Sequence, residues 1–198
     1  MSIDIRKLQS ALGVTADGIA GPNTWRAFFQ RLGAKTGMAV ELALAANKRF
    51  PEYGVTDNPL RLAHFMAQIL HESGSFRWME EIWGPTAAQR SYEGRKDLGN
   101  TVVGDGYRYR GRGPIQLTGR ANYRRFGQRI GVALEEHPDI AAVPSIGLWT
   151  ALEYWRDRGL NELADRDDIE GITRKVNGGL NGFADRKAML AKVKGLLA

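Results

Sequence analysis

The sequence contains no cysteine, which excludes disulfide bridges, zinc–thiolate sites and a cysteine nucleophile. Histidine is scarce as well, with only His64, His71 and His137 in 198 residues. His71 and Glu72 begin a string like the zinc motif HExxH, but Ser75 stands where the second histidine is required. His64 and His71 are seven residues apart, too far to share a metal ion easily, so packing or a local hydrogen bond suits each better. We therefore expect no metal site and no cofactor.

Sequence motifs of several other enzyme classes and of membrane proteins are also missing. The chain contains no GxSxG nucleophile motif, no phosphate-binding P-loop and no dinucleotide-binding glycine fingerprint. No stretch approaches the length of a transmembrane helix, and the first residues, MSIDIRKLQS, lack the apolar run of a secretory signal. The expectation is a protein that is made in the cytoplasm and has no stable insertion into a membrane.

The net charge of +6 is unevenly distributed. Residues 86–130 hold ten Arg and Lys side chains against three acids, a local excess of +7 that accounts for the whole imbalance. Such a patch attracts polyanions, which include nucleic acid, anionic lipid and an anionic cell wall. It also serves as an ordinary solvated surface that keeps a protein soluble, and the sequence leaves both interpretations open.

Helical periodicity dominates the chain outside one loop region. Apolar residues recur at helical spacing in six segments, about 38–49, 59–73, 120–131, 144–158, 166–176 and 183–197. Residues 74–120 instead carry many glycines and little periodicity, with only a short strand expected near 115–118. Loops this long in a compact domain are usually functional. The prediction is a mainly α fold whose loops line a groove, with residues 3–34 as a small helical unit in which Asn23 or Thr24 caps the second helix.

Acid–base chemistry by carboxylates remains after these exclusions. Glu72 ends an apolar helix, where partial desolvation favours the protonated form that a general acid requires. Glu81 follows nine residues later, beyond the Gly74 break and between Trp78 and Trp83. Two carboxylates beside aromatic side chains suit glycoside hydrolysis, in which one acid protonates the leaving oxygen and the other activates water. On chemistry alone, a solvated surface charge is the usual role of a glutamate.

Three strings resemble glycoside hydrolase family 19, which contains chitinases and many phage endolysins. They are HESGSF at 71–76, YRGRGPIQLTGRANY at 109–123 and KVNGGLNG at 175–182. The resemblance spans about residues 38–198, and the YEGRKDLGN stretch with its short loops is more similar to the endolysin branch than to plant chitinases. It implies a lysozyme-like helical domain and an inverting mechanism.

The resemblance also assigns roles to residues. It implies that Glu72 is the general acid, that Glu81 is the base and that Thr118 helps to hold the water. Glu80 is a neighbour that competes with Glu81 for the base assignment, and Glu93 is a weaker rival with a structural alternative. The implied substrate-binding set, in which Arg186 orients the carboxylate network, consists of His71, Tyr109, Gln116, Asn177 and Arg186.

The N-terminal string LQSALGVTADGIAGPNTWRAF is similar to half of a peptidoglycan-binding domain. It suggests two units, a partial binding unit at 1–36 and a catalytic domain at 37–198, although a helical cap docked on the catalytic domain is an alternative. We expect an endolysin-type, monomeric hydrolase of peptidoglycan that reaches the periplasm through holes made by another protein. The alternatives are a chitinase, a lytic transglycosylase and a non-catalytic protein that binds wall or nucleic acid, and no nucleic-acid partner is expected.

Overall fold

The computed structural model describes residues 2–198, and within them the regular secondary structure is almost entirely helical. The helices are α1 Ile5–Leu12, α2 Pro22–Arg31, α3 Thr36–Glu52, α4 Pro59–Glu72, α5 Ala87–Arg90, α6 Asp105–Arg108, α7 Arg120–Ile130, α8 Pro144–Asp157, α9 Leu160–Asp165, α10 Ile169–Asn177 and α11 Phe183–Leu197. Short 3₁₀ turns occupy Lys96–Leu98 and Pro138–Ala142. The mainly α prediction is confirmed. None of the described helices combines the length and the apolarity that crossing a membrane requires.

The central helix is α4, and local chemistry sets both of its ends. The Asn58 side chain accepts a hydrogen bond from the Leu60 amide at 2.9 Å, and Pro59 occupies the first helical position, where its missing N–H costs nothing. The helix ends at Glu72, two residues before Gly74 turns the chain with a positive φ of 56°. Residues Leu62 to Leu70 are all buried, so α4 is surrounded by the core on every side.

One large hydrophobic core extends from the N-terminal residues through α4 to α8 and α11. A series of edge-to-face aromatic contacts crosses it: Trp25 meets Phe50 at 5.2 Å between ring centroids, Phe50 meets Phe65 at 6.0 Å, and Phe65 meets Trp155 at 5.5 Å. Such pairs add about 0.5–1.5 kcal/mol each beyond their buried area. Residues 2–34 therefore pack on the remaining helices through a shared core, while the division at residue 36 stays a prediction.

A second, smaller cluster supports the loop region and α7. Its buried members include Tyr109, Tyr123, Phe126 and Leu134. The region contains no continuous strand: the piece expected near 115–118 forms only isolated bridges, in which Arg112 pairs with Glu80 and with Leu117. The bridges nevertheless hold the segment after α4 against the glycine-rich strings, so two distant parts of the sequence are fixed side by side.

Three details differ from the sequence-based predictions. Gly21 is the N-cap of α2, not Asn23 or Thr24, because the Thr24 hydroxyl is buried and accepts a hydrogen bond from the Gln9 side chain at 2.9 Å. Helix α3 continues past Pro51 to Glu52, since a proline in the last turn displaces little of the hydrogen-bond ladder. The separate helix α9, Leu160–Asp165, has no counterpart among the predicted segments.

Candidate active site

Glu72 is held by an arginine from another helix. Its side chain is 21% exposed, and Oε1 accepts a hydrogen bond from Nη2 of Arg186, a fully buried residue near the start of α11. Nη1 of the same guanidinium donates to the Gln68 side chain, one turn before Glu72 on α4. Arg186 therefore joins Glu72 and Gln68 through one guanidinium, and its role in orienting the carboxylate stays a prediction.

His71 supports the same end of α4. Its Nδ1 is hydrogen-bonded to Oδ2 of Asp185 at 2.6 Å, and its ring lies directly against the backbone of Gly182. A Cβ atom at Gly182 would stand 2.2 Å from the His71 Cε1 atom, so only glycine permits this approach. His71 thus holds the KVNGGLNG segment beside Glu72. This contact gives the predicted substrate-binding histidine a demonstrable positioning role.

Glu81 lies in the loop that follows α4, and several hydrogen-bond donors hold its carboxylate. The Gly111 amide donates to Oε2 at 3.1 Å, and the buried Gln89 side chain donates to Oε1 at 3.0 Å. The Tyr92 hydroxyl lies 3.5 Å from Oε1. In return, the backbone amide of Glu81 donates to the Gly111 carbonyl at 2.8 Å. These bonds fix the carboxylate in one orientation on the loop wall.

Gly111 is the point where three predicted site residues meet. A Cβ atom there would lie 2.7 Å from Oε1 of Gln116 and 3.4 Å from both Oε2 of Glu81 and Oγ1 of Thr118. Gln116 has a positive φ of 53° and is anchored by its amide, which donates to the carbonyls of Trp78 at 3.1 Å and Gly113 at 3.0 Å. The absence of a side chain at Gly111 is therefore what allows this convergence.

A cleft of about 260 Å³ lies beside Glu72, and it reaches the Gly111 contact through Gln116 and Thr118. The predicted residues Glu72, Gln116, Thr118 and Asn177 all line it, so the structure brings together side chains from α4, the loop region and the end of α10. Its further lining residues are Leu98, Ile115, Leu117, Asn122, Tyr154, Arg158 and Val176. Larger cavities exist elsewhere, such as one of about 490 Å³ around Val102 and Arg120, but they contain neither Glu72 nor Glu81.

Glu80 and Glu93, the two alternatives to Glu81 as the base, make different contacts from those of Glu81. Glu80 forms ion pairs with Arg110 at 2.5 Å and Arg112 at 2.9 Å. Glu93 accepts hydrogen bonds from the backbone amides of Gly104 at 2.6 Å and Gly106 at 2.9 Å, so it holds the start of a short helix. The carboxylates of Glu80 and Glu93 are therefore both engaged in structural contacts.

Tyr109 requires a correction, because it is not a cleft residue. The side chain is 2% exposed and packs against Tyr123, with 5.4 Å between ring centroids. Its hydroxyl donates to the Glu135 carbonyl at 3.1 Å. The string that contains Tyr109 does reach the cleft, but only through later members such as Gln116 and Thr118. Tyr109 is an anchor for that string in the second hydrophobic cluster.

The basic excess of residues 86–130 is largely neutralised by the fold. Seven of its ten basic side chains form ion pairs, and most of the carboxylates come from outside the segment. The paired residues are Arg95, Arg110, Arg112, Arg120, Arg124, Arg125 and Arg129. Arginines engaged in this way are poorly available for a polyanion, which weakens the nucleic-acid interpretation.

Several residues of the site have no clear sequence signal. Asn122 lies within a quoted string but was assigned no role, and its amide donates to the Thr118 carbonyl at 2.8 Å. Tyr154 and Arg158 belong to α8 and its end, and only the tertiary structure brings them to the cleft. Within residues 2–198, no cluster of three or more His, Asp or Glu side chains is arranged to hold a metal ion.

Comparison with known sequences relates this chain to one family. The model of the Glyco_hydro_19 family, described as chitinase class I, matches residues 29–172. A glycosyl hydrolase family 19 domain-containing protein of Haemophilus influenzae is 35% identical over 156 residues, covering 65% of this chain and 76% of that protein. An endochitinase of Arabidopsis thaliana is 31% identical over 164 residues, covering 77% of this chain but 54% of the plant protein. The chain thus spans about half the length of such plant relatives.

Solved structures share the fold. Chitinase C from Streptomyces griseus superposes with a TM-score of 0.69 and 22% identity, over 86% of this chain and 90% of that one. A class IV chitinase from Zea mays superposes with a TM-score of 0.61 and 21% identity, over 96% of this chain and 90% of the maize chain. These matches confirm the predicted lysozyme-like, mainly α architecture.

Proposed function

This chain belongs to glycoside hydrolase family 19, and on that premise we propose that it is an endolysin-type enzyme that hydrolyses β-1,4 bonds in the glycan strands of bacterial peptidoglycan. The observation that carries the proposal is the cleft in which Glu72 shares its walls with Gln116, Thr118 and Asn177, with Glu81 bound next to Thr118 at Gly111. Amides and hydroxyls of this kind bind the polar groups of sugars.

Glu72 is the proton donor in this proposal. Arg186 holds Oε1, and no residue within 2–198 forms a hydrogen bond with Oε2. The protonated oxygen is therefore Oε2, on the side chain that lines the cleft. As the bond between the anomeric carbon and the bridging oxygen breaks, the proton of Glu72 passes to that oxygen, and the departing sugar leaves as an alcohol.

Glu81 and Thr118 activate water on the other wall. The Thr118 hydroxyl donates its own hydrogen to the Gln116 carbonyl at 3.0 Å, so its oxygen is left to accept a hydrogen bond from water. A water between Thr118 and Glu81 attacks the anomeric carbon while the Glu81 carboxylate takes its proton. Attack from the face opposite the leaving group inverts the configuration. Exchange with solvent then returns both carboxyl groups to their starting protonation states.

The N-terminal segment favours peptidoglycan as the substrate. Its string is similar to half of a peptidoglycan-binding domain, and the structure gives that string a defined conformation around the buried Gln9 side chain. The Gln9 amide donates to Asp17 at 2.7 Å and to the Ile19 carbonyl at 3.0 Å. Chitin is the second candidate, because endochitinases are among the relatives and chitinases among the structural matches.

The decisive test is digestion of purified peptidoglycan by wild type and Glu72→Gln, with the reduced products identified by mass spectrometry. Wild type is expected to release disaccharide–peptides with an intact reducing end, and the sugar at that end names the bond. Loss of the proton donor should lower the rate by about 10²–10⁴-fold. Glu41→Gln, an exposed position on α3, is the matched control and should retain wild-type activity.

Other outcomes discriminate the alternatives. Release of anhydro-sugars, together with tolerance of Glu81→Gln, would identify a lytic transglycosylase. Release from chitin oligomers but not from peptidoglycan would replace the proposal with a chitinase. No release from either polymer, with intact binding to wall, would leave a non-catalytic wall-binding protein.

A further inference from the structure

Arg158 occupies a distinctive position on the cleft wall. It immediately follows α8 and lines the same cleft as Glu72, Thr118 and Asn177. Its guanidinium lies over the ring of Tyr154, with Cζ 3.5 Å from the ring centroid. The ring is itself anchored, because the Tyr154 hydroxyl donates to the Val176 carbonyl at 3.1 Å. Stacking therefore holds the plane of the guanidinium in a set orientation before any ligand arrives.

The hydrogen-bonding capacity of this guanidinium is unused. No group within residues 2–198 accepts a hydrogen bond from it, and Nη1 is buried without a partner. The nearest carboxylate oxygen belongs to Asp157, at 3.7 Å, which is beyond hydrogen-bond distance. Asp157 is already paired with Arg125 and Arg129, each at 2.6 Å. Arg158 thus differs from the many arginines of this chain that donate a hydrogen bond to a carboxylate, such as Arg125.

The charge of the cleft depends on this residue. Only two of the lining side chains can carry a full charge at neutral pH, Glu72 and Arg158, and the guanidinium of Arg186 lies against Glu72. The Arg158 side chain is 32% exposed, so part of its fork remains accessible. An arginine fork binds a carboxylate through two parallel hydrogen bonds, and a site with an excess cation favours an anionic ligand.

We propose that Arg158 is a specificity residue that binds a carboxylate of the peptide branch, which is joined through a lactyl group to alternate sugars of the peptidoglycan strand. This inference rests on the proposed function and deepens it, since it names the feature of the substrate that the cleft recognises. Chitin carries only a hydroxyl at the corresponding sugar position, so Arg158 would contribute little to binding chitin. The residue distinguishes the two candidate polymers by charge.

The experiment compares two forms of one glycan. Soluble strands that keep their stem peptides carry peptide carboxylates, and coupling these to ammonia with a carbodiimide yields neutral amides of the same length. Wild type is expected to cut the charged strands with a kcat/KM about 10- to 100-fold above that for the neutral strands, the range expected for a hydrogen bond to a charged group. Arg158→Gln should abolish this preference, because the charged strands then lose the advantage that the guanidinium gives them. Arg158→Lys should retain part of it.

Two controls keep the result interpretable. Arg174→Gln removes an arginine of α10 that pairs with Glu170 outside the cleft, and it should preserve the preference. Dissociation constants measured for both strands with Glu72→Gln, and with the double variant that adds Arg158→Gln, report recognition without cleavage. An unchanged preference in Arg158→Gln would overturn this inference alone, as would an equal loss on both strands. Failure of wild type to cut or bind either strand would overturn the proposed function itself.

Discussion

Arg186, buried in α11, donates one hydrogen bond to Glu72 and another to Gln68, and so joins the end of α4 to the helix packed against it. The two carboxylate oxygens of Glu72 are thereby made different: one is held, and the other is available to the cleft. We expect Arg186→Lys to lower kcat by about 10²-fold with little change in KM, because lysine keeps the charge but cannot span both partners. Steady-state kinetics on peptidoglycan strands would measure this. A rise in KM with unchanged kcat would contradict a positioning role.

Glu81 and Glu80 are neighbours with opposite roles, which makes them a matched pair. Glu81→Gln should lose about 10²–10⁴-fold in rate, because the base that takes the proton from water is gone. Glu80→Gln should keep activity within several-fold, since its carboxylate pairs with Arg110 and Arg112 instead. Loss of these ion pairs should lower the free energy of unfolding of Glu80→Gln by about 1 kcal/mol. If assays of the two purified variants instead showed a large loss for Glu80→Gln and a small loss for Glu81→Gln, Glu80 would be assigned as the base.

Gly111→Ala tests the convergence of the three side chains. The new Cβ would stand 2.7 Å from Oε1 of Gln116, so Gln116 must move. That movement would change the space that holds water beside Glu81 and Thr118. We expect activity to fall by about 10²-fold, with a loss of about 1–3 kcal/mol in stability. Gly195→Ala, where a Cβ in α11 meets nothing within 4 Å, is the matched control and should be neutral or slightly stabilising. Full activity in Gly111→Ala would refute the role of this contact.

Glu135 should make stability depend on pH in the acid range. Hydrogen bonds from Arg124 and then Arg120 lower the pKa of this carboxyl from 4.5 to about 2. Because the folded pKa lies below the unfolded one, the stabilisation is fully present above pH 4.5 and is lost as the pH falls toward 2. Urea unfolding of wild type and Glu135→Gln should show the variant less stable at pH 7, with a gap that narrows as the pH falls through this window. A gap independent of pH would exclude this origin.

The local features of the helices were predictable because their causes are local. Asn58, Pro59 and Gly74 lie in or beside α4, and cap chemistry and backbone preference act over only a few residues. Apolar spacing likewise predicted the long helices and the position of Glu72 at a helix end. The short helix α9 escaped prediction because one turn and a half of chain carries too little periodicity to be distinguished from a loop.

The same distinction between local and long-range causes applies to the residues of the site. By itself the sequence determined the chemistry available, namely carboxylates without cysteine or a metal cluster, the end of α4 that carries Glu72, and the order of the strings that form the cleft. Only the tertiary structure decided that Glu81 rather than Glu80 accepts a hydrogen bond from the Gly111 amide beside Thr118, that Tyr109 is core, and that Arg158 lines the same cleft as Glu72. These outcomes depend on contacts between residues far apart in the chain, where packing and charge pairing, not neighbouring residues, select the partner.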